Sequence, residues 1–463
     1  MAVLRRHALT QARRHLIGDA IELGLRCAQD LHVAVSPRTR PESGRIVSAD
    51  PAMLAAILAR ADASLADNVL PFWARHAPDP EWGGFVTHLG RTGDRVGPTD
   101  KHLVMQARMI WTFAAAHRHG LTDQGYLELA GQGVRFLVGR MWDQKHGGFF
   151  WTVSRDGSPL DVRKRTYGQA FAIYGLAEYA LAAGEPEAVT WAERTFDTLV
   201  ANAADGALGF REEFACDWTP MAGWHGERKT LNVHLHVMEA LTALAEASRR
   251  QTHASVLSGL VDLLLTTTIH PRHGYAQEEF GPTWRARTAR TQRQRVSYGH
   301  GVELAWLALR ALDFLGRPRE PVRPRVLGVI DHALAYGFDH RRGGLAQYGP
   351  PSGAVSLAVY LPADRLTKYW WQQAEMLVAL AEAYRWTGAA RYLLAFEKQF
   401  NWIWRHQTDH DGGDWYEATA WDGRPLRLEK GHDWKDPYHN ARALMETSRR
   451  LRALGMEPGW RGP

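Results

Sequence analysis

The chain has 463 residues, a formal net charge of +6, 45% hydrophobic and 10% aromatic residues, and two cysteines. Cys27 and Cys216 lie in unrelated settings without metal-ligand spacing, which argues against a disulfide framework and for a reducing, cytoplasmic compartment. No run of about 18 apolar residues occurs, so no membrane span is expected. Apart from Arg285, Arg287, Arg290, Arg293 and Arg295 the charges are dispersed, with no zinc-finger or basic-zipper pattern, so nucleic acid is not expected as a partner.

Residues 1–48 read as a helical arm and a linker. The opening MAVLRRHALTQARRHLIGDAIELGL is broken by Arg13, Arg14, His15 and Asp19 before an apolar run of export-signal length can form. Ser36 to Ser48 (SPRTRPESGRIVS) has the Pro, Ser and Arg content of a linker. Length alone suggests about three domains, but an internal repeat argues for a single domain over 49–463.

That repeat is carried by Gly84, Gly148, Gly209, Gly274, Gly344 and Gly413, each in a turn beside an aromatic or apolar residue (WGGFV, HGGFFW, LGFRE, HGYAQ, RGGLAQY, DGGDWY), at spacings of 61 to 70 residues. A fixed period of this kind marks a repeat architecture. Helical periodicity runs through 51–75, 101–119, 123–141, 166–183, 187–202, 230–249, 254–268, 296–314, 323–337, 367–387, 390–406 and 437–453. Each glycine turn follows an odd-numbered helix and precedes a long loop. Each even helix joins the next odd one through a short link such as Gly120 to Thr122 or Gly388, which favours antiparallel neighbours. Six such hairpins close into an all-α (α/α)6 barrel, with even helices inside, odd helices outside and the long loops at one mouth. The glycine turns are expected to form short β-hairpins around that mouth.

The starts of the even helices then meet at the open end, and these starts hold the polar residues. The second helix brings Arg108, the fourth Tyr167 and Gln169, and the sixth Asn232, His234, His236 and Glu239. The eighth brings His300, Glu303 and Trp306, the tenth Trp370, Trp371 and Glu375, and the twelfth Trp434, His439 and Arg442. In SYGHGVELAW, His300, Glu303 and Trp306 recur every three residues and share one helix face, combining a base, a carboxylate and an indole. A pocket lined by indoles, imidazoles, carboxylates and a guanidinium suits a neutral polyol.

The segments GGFVTHLGRTG, TDKHLVMQARMIWTFAAAHR, FAIYGLAEYA, NVHLHVMEA, SYGHGVELAW, WWQQAEMLVALAEAY and WKDPYHNARALMET resemble the N-acylglucosamine 2-epimerase superfamily, its cellobiose 2-epimerase branch above all, over roughly 51–453. The resemblance implies an (α/α)6 barrel that moves the hydrogen at C2 of an aldose, inverting C2 or converting the aldose to a ketose as in mannose isomerases. It implies that His300 and His439 handle the proton, that Arg108 grips the substrate and that His234 is the family's HLH histidine. It matches the family's carboxylates to Glu303 and Glu375 and its ring-stacking indoles to Trp306, Trp371 and Trp434. TDKHLVMQAR leans toward the N-acylglucosamine epimerases, so a mono- and a disaccharide substrate both stay open.

The chemistry expected is ring opening, aided by His234 or His300, then C2 proton removal by a neutral imidazole to a cis-enediolate held by Arg108. Return of the proton from the opposite face gives the epimer; return to C1 gives the ketose. Glu303 is expected either to hold the His300 tautomer or to bond a sugar hydroxyl, and Asn232 to touch substrate. His234 and His236 fall on opposite sides of their helix and cannot share an ion, and His236 reads as a packed histidine. With no HExxH motif, Cys-based set, P-loop or dinucleotide fingerprint, neither a metal nor a cofactor is expected. An inverting glycosidase built on Glu303 and Glu375 and a non-catalytic sugar-binding protein are the other readings. A monomer and a homodimer both remain open.

Overall fold

The computed structural model describes residues 49–286, 296–349 and 367–456. The N-terminal arm and the arginines Arg287, Arg290, Arg293 and Arg295 lie outside the described residues.

Asp50 starts the first described helix: its carboxylate accepts the Ala52 N–H at 2.9 Å, and Pro51 takes the first helical position, where a missing N–H costs nothing. This helix, α1 (Pro51–Ala63), runs through a π-turn (Ser64–Val69) into a last stretch at Leu70–His76. It is followed by α2 (Leu103–Arg118), α3 (Tyr126–Phe136), α4 (Thr166–Ala183), α5 (Pro186–Ala203) and α6 (Leu231–Ser248). The second half holds α7 (Gln251–Thr267), α8 (Tyr298–Phe314), α9 (Arg323–Tyr336), α10 (Trp370–Thr387), α11 (Ala390–Trp402) and α12 (Tyr438–Met456).

Even and odd helices differ in how much of their surface is apolar. In α2 every residue from Leu103 to Ala116 is buried, whereas α5 buries only Ala188, Ala192, Thr195, Phe196, Leu199 and Ala203. A helix buried all round must lie inside, and a one-faced helix must cover it. Accordingly α2, α4, α6, α8, α10 and α12 each pack on the even helices before and after, and α12 packs back on α2 to close the ring. The odd helices pack outside, each on the even helix before it, and α3, α5, α7 and α9 also on the even helix after. Each fully buried Leu or Phe in this double wall contributes roughly 1.5–3 kcal/mol.

The mouth differs in detail from the expected ring of hairpins. Each glycine turn is closed by a single bridge: Pro78 to Phe85, Trp142 to Phe149, Ala204 to Phe210, Ile269 to Ala276, Phe338 to Leu345 and Thr408 to Trp415. The strands are two or three residues long and all antiparallel, and most of their pairs link successive repeats. β1 (Lys101–His102) pairs with β2 (Thr152–Val153) and β2 with β3 (Pro159–Asp161); β4 (Lys164–Arg165) pairs with β5 (Glu213–Phe214), and β6 (Lys229–Thr230) with β7 (Glu279–Phe280). β8 (Val296–Ser297) pairs with β9 (Tyr348–Gly349), β10 (Lys368–Tyr369) with β11 (Ala418–Thr419), and β11 with β12 (Pro425–Arg427). The strand entering one inner helix is thus tied to the loop of the next repeat. The turn glycine at position 84 has φ +65°, and a Cβ there would meet the Phe136 ring at 2.7 Å, so the turn lies flat on its neighbour only as glycine.

Two side-chain devices repeat around the mouth. The fourth residue of the inner helix staples the glycine turn: Gln106 accepts from the Phe85 N–H (2.8 Å) and donates to its C=O (2.7 Å), and Gln169 and Gln373 do the same to Phe149 and Leu345. In α6 this slot holds His234, whose Nε2 accepts from the Phe210 N–H at 3.0 Å. A buried lysine also pins five of the six turns to the segment ahead of the inner helix. Lys101, Lys164, Lys229, Lys368 and Lys430 lie 2.8 to 3.1 Å from Asp79, Asp143, Asp205, Asp339 and Asp409. The fourth repeat has neither device, because Gly301, Val296 and His270 stand at the corresponding positions.

Replacing Gln106 with Ala leaves the buried Phe85 N–H and C=O unpaired and is expected to destabilise the protein by at least about 1–3 kcal/mol. A thermal scan reads this as a lower unfolding temperature; an unchanged one would contradict the staple.

Candidate active site

The sixth residue of each inner helix from α2 to α10 is Arg108, Phe171, His236, Glu303 and Glu375. Helical repetition aims this position at the barrel interior, and the side chains meet there. The Arg108 guanidinium lies 4.3 Å from the Phe171 ring centre and bonds Tyr167 Oη at 3.1 Å, while Phe171 and His236 are 4.7 Å apart, ring centre to ring centre. From α12, Arg442 donates to Glu303 at 2.6 Å, to Glu375 at 2.7 Å and to Glu239. Tyr438 Oη donates to Glu239 Oε1 at 2.6 Å, and His236 Nδ1 bonds Glu239 Oε2 at 2.9 Å.

His439 and His300 meet on one indole. Trp371 lies 4.8 Å from the His300 ring and 5.8 Å from the His439 ring, centre to centre. His439 Nδ1 bonds Glu375 Oε1 at 2.7 Å, and His300 Nδ1 bonds Glu278 Oε2 at 2.8 Å. Carboxylates accept only, so both Nδ1 atoms carry the proton and both Nε2 atoms remain outside these bonds. The two rings differ electrostatically. Burial, reinforced by the Arg108 and Arg442 charges, holds His439 well below the ordinary histidine range. Burial acts the same way on His300, but Glu278, Glu303 and Glu375 outweigh it and raise that imidazole. Two bases with opposed tendencies can divide the roles of proton acceptor and donor.

Several expected residues have different partners from those expected. His234 is fully buried; its Nε2 takes the Phe210 N–H and its Nδ1 bonds Thr230 O at 2.9 Å, so neither nitrogen is free for ring opening. Its neighbour two residues on, expected as a packed histidine, is the one turned inward: His236 meets Tyr167 and Phe171, and burial lowers it to about 4, which keeps it neutral. Trp306 is also fully buried, with Nε1 on Glu375 and its ring between Arg442 and Arg450, so it offers no face to a sugar. Glu303 bonds Arg442 and does not orient His300; Glu278 does. Arg108 is where the sequence put it, with Nε buried and unpartnered, and Asn232 is half-buried with Oδ1 likewise unpartnered. Trp434 is 47% exposed, beside Trp151 and Tyr167 at the mouth. The sequence reading missed Glu278, Tyr438 and Asp436, whose carboxylate lies 3.4 Å from Arg108 Nη1. Superposing the repeats finds the first, since Glu212, Glu278 and Glu417 each lie two residues beyond their bridge partner Phe210, Ala276 or Trp415.

Glu303, Glu375 and His439 bring ligand atoms within 4.8 Å of one another, a spacing a metal ion could use. The Arg442 guanidinium already bridges the two carboxylates, and a second cation there would be repelled. Cys216, the described cysteine, is free, its Sγ 3.3 Å from Asp143. No described helix is long and apolar enough to cross a membrane.

The N-acylglucosamine 2-epimerase (GlcNAc 2-epimerase) profile matches residues 83–443. A cellobiose 2-epimerase of Bacteroides fragilis is 31% identical over 393 residues, 82% of this chain and 96% of that protein. A D-mannose isomerase of Marinomonas mediterranea is 25% identical over 393 residues, 83% of this chain and 95% of the other. The solved cellobiose 2-epimerase of Spirochaeta thermophila superposes with a TM-score of 0.76 at 33% identity, covering 87% of this chain and 98% of that one. The chain belongs to the N-acylglucosamine 2-epimerase family and is an enzyme of the isomerase class.

Because three other repeats use Gln in the slot of His234, His234→Gln is expected to keep turnover within about threefold of the parent while His234→Ala lowers the unfolding temperature, the Phe210 N–H then being unpaired. Steady-state rates on folded His234→Gln protein check this; a loss of 100-fold or more would restore His234 to the catalytic set.

Proposed function

We propose that the protein is a sugar 2-epimerase acting on the reducing-end aldose through the imidazoles of His300 and His439. The observation that carries this reading is the shared contact of both rings with Trp371, with their Nδ1 atoms anchored on separate carboxylates. C2 hydrogen becomes acidic only beside a free carbonyl, so the sugar ring opens first. His236, neutral and inward-facing, is the histidine suited to shuttle that proton. Neutral His439 removes the C2 hydrogen, the cis-enediolate charge falls to Arg108, and protonated His300 delivers a proton to the opposite face. The reverse direction uses the same pair with the proton on the other ring. The working state is therefore singly protonated in both directions. Trp371 and Trp434 supply apolar platforms for sugar faces.

Aldose–ketose isomerisation is the second reading, and the D-mannose isomerase relative favours it. It needs the same removal step and differs only in returning the proton to C1. The inverting-glycosidase reading loses support, because such enzymes hold their two carboxyls about 6.5–9.5 Å apart, while oxygens of Glu303 and Glu375 lie within 4.8 Å and share one guanidinium nitrogen.

Incubation with glucose, mannose, fructose, cellobiose and N-acetylglucosamine in heavy water, followed by NMR, is expected to give a C2-inverted aldose carrying solvent deuterium at C2. His439→Asn is expected to abolish the exchange while leaving the fold intact. A ketose product selects the isomerase, hydrolysis selects the glycosidase, and exchange retained in His439→Asn removes that residue from the reaction. The kcat/KM profile is expected to be bell-shaped. Its acid limb lies well below the ordinary histidine range, where His439 gains a proton, and its alkaline limb above that range, where His300 loses one.

A further inference from the structure

The fourth repeat breaks the rule that fixes the other inner helices at the mouth, and it is the repeat that carries His300. Elsewhere a lysine–aspartate pin ties the segment ahead of the inner helix to the preceding glycine turn. Here Val296 and His270 leave no charge to pair, and Gly301 leaves no staple. Among the described residues, the side-chain bonds from the start of α8 to other elements are Tyr298 Oη to Tyr336 O at 3.2 Å and His300 Nδ1 to Glu278 Oε2 at 2.8 Å. Glu278 is itself fixed in the frame: its carbonyl accepts the Leu231 N–H at 2.9 Å, where α6 begins.

We propose that Glu278 is the positioning residue of His300: its carboxylate accepts the Nδ1–H hydrogen bond, fixes the ring orientation and leaves Nε2 to face the substrate. This rests on the two-imidazole reading above and assigns a function to a residue that touches no reacting atom. The groups facing His300 are Glu278 from the segment before β7, Glu303 from its own helix, and Glu375 with the Trp371 indole from α10. Glu303 and Glu375 both bond Arg442. Glu278 pairs with no lysine or arginine among the described residues, and its Oε1 is buried without a hydrogen-bond partner. Among the described residues His300 is its one ionic partner, in agreement with the raised imidazole. An orienting carboxylate of this kind selects the tautomer and increases the basicity of the distal nitrogen.

Glu278→Gln keeps the size and an acceptor oxygen but removes the charge; Glu278→Asp keeps the charge at a shorter reach. With mannose and cellobiose as probes, Glu278→Gln is expected to lower kcat by about 10- to 100-fold with KM changed by less than about threefold. Its alkaline limb should move toward acid by about one pH unit while the acid limb stays in place, and Glu278→Asp should recover part of both effects. NMR titration of 15N-histidine-labelled parent protein, with His300→Gln for assignment, needs no turnover and is expected to show an Nδ1–H tautomer titrating above the ordinary range. A rate loss with both limbs unmoved, or an Nε2–H tautomer at His300, overturns the proposal. If the parent protein shows no C2 exchange, the epimerase reading itself fails; if it does and Glu278→Gln matches it, only the positioning role fails.

Discussion

Arg442 joins the part of the ring on which the site depends. It is fully buried on α12 and reaches Glu239 on α6, Glu303 on α8 and Glu375 on α10, so one guanidinium ties four of the six inner helices at the depth of the site. Three carboxylates around one guanidinium cannot all remain ionised in a medium that excludes water. The electrostatics agree: against its burial, Arg442, His236 and Tyr438 hold Glu239 ionised, down to about 2, while burial and the neighbouring Glu375 charge push Glu303 up to about 8. The cluster thus favours a proton on Glu303 at neutral pH, which leaves Glu239 and Glu375 to face the Arg442 charge. Removing Arg442 would strand several buried charges at once, a change of about 3–5 kcal/mol.

That cluster also sets the character of the two imidazoles. Through Glu375, Arg442 fixes the His439 ring, and its positive charge, with that of Arg108, keeps the ring neutral. His300 also contacts Trp371 but bonds Glu278 at 2.8 Å, and with Glu303 and Glu375 nearby it keeps its proton more readily. One sequence therefore builds an acceptor and a donor from the same residue type by choosing the charge beside each. The buried rings of Phe171 and Tyr438 beside Arg108 keep the surroundings apolar, which strengthens these charges.

Much of the architecture was legible in the sequence. Six glycine turns at a near-fixed period and twelve helical segments define the barrel, and the described helices begin and end within a few residues of the periodicity. The polar residues at the starts of the even helices do converge on the barrel interior, as Arg108, His236, Glu303 and Glu375 show. What failed was register within a helix start. In NVHLHVMEA the two histidines point to opposite sides, and periodicity alone cannot say which side faces the axis. The answer lay in the repeats: Gln106, Gln169 and Gln373 occupy the slot of His234, and Arg108, Glu303 and Glu375 that of His236. Trp306 failed for a related reason, since it lies one turn too deep to reach a sugar and serves the Arg442 cluster instead. Glu278 was invisible as a single residue because it reaches His300 from a loop 22 residues away in the chain, outside any helical period.

The central claim is that His300 and His439 address the same carbon from opposite sides. A crystal structure with an open-chain hexitol bound tests it most directly. The account predicts C2 between the two Nε2 atoms, within about 3.5 Å of each, with Trp371 against the carbon chain. A hexitol reached by only one of the two imidazoles, or bound away from both, would contradict it.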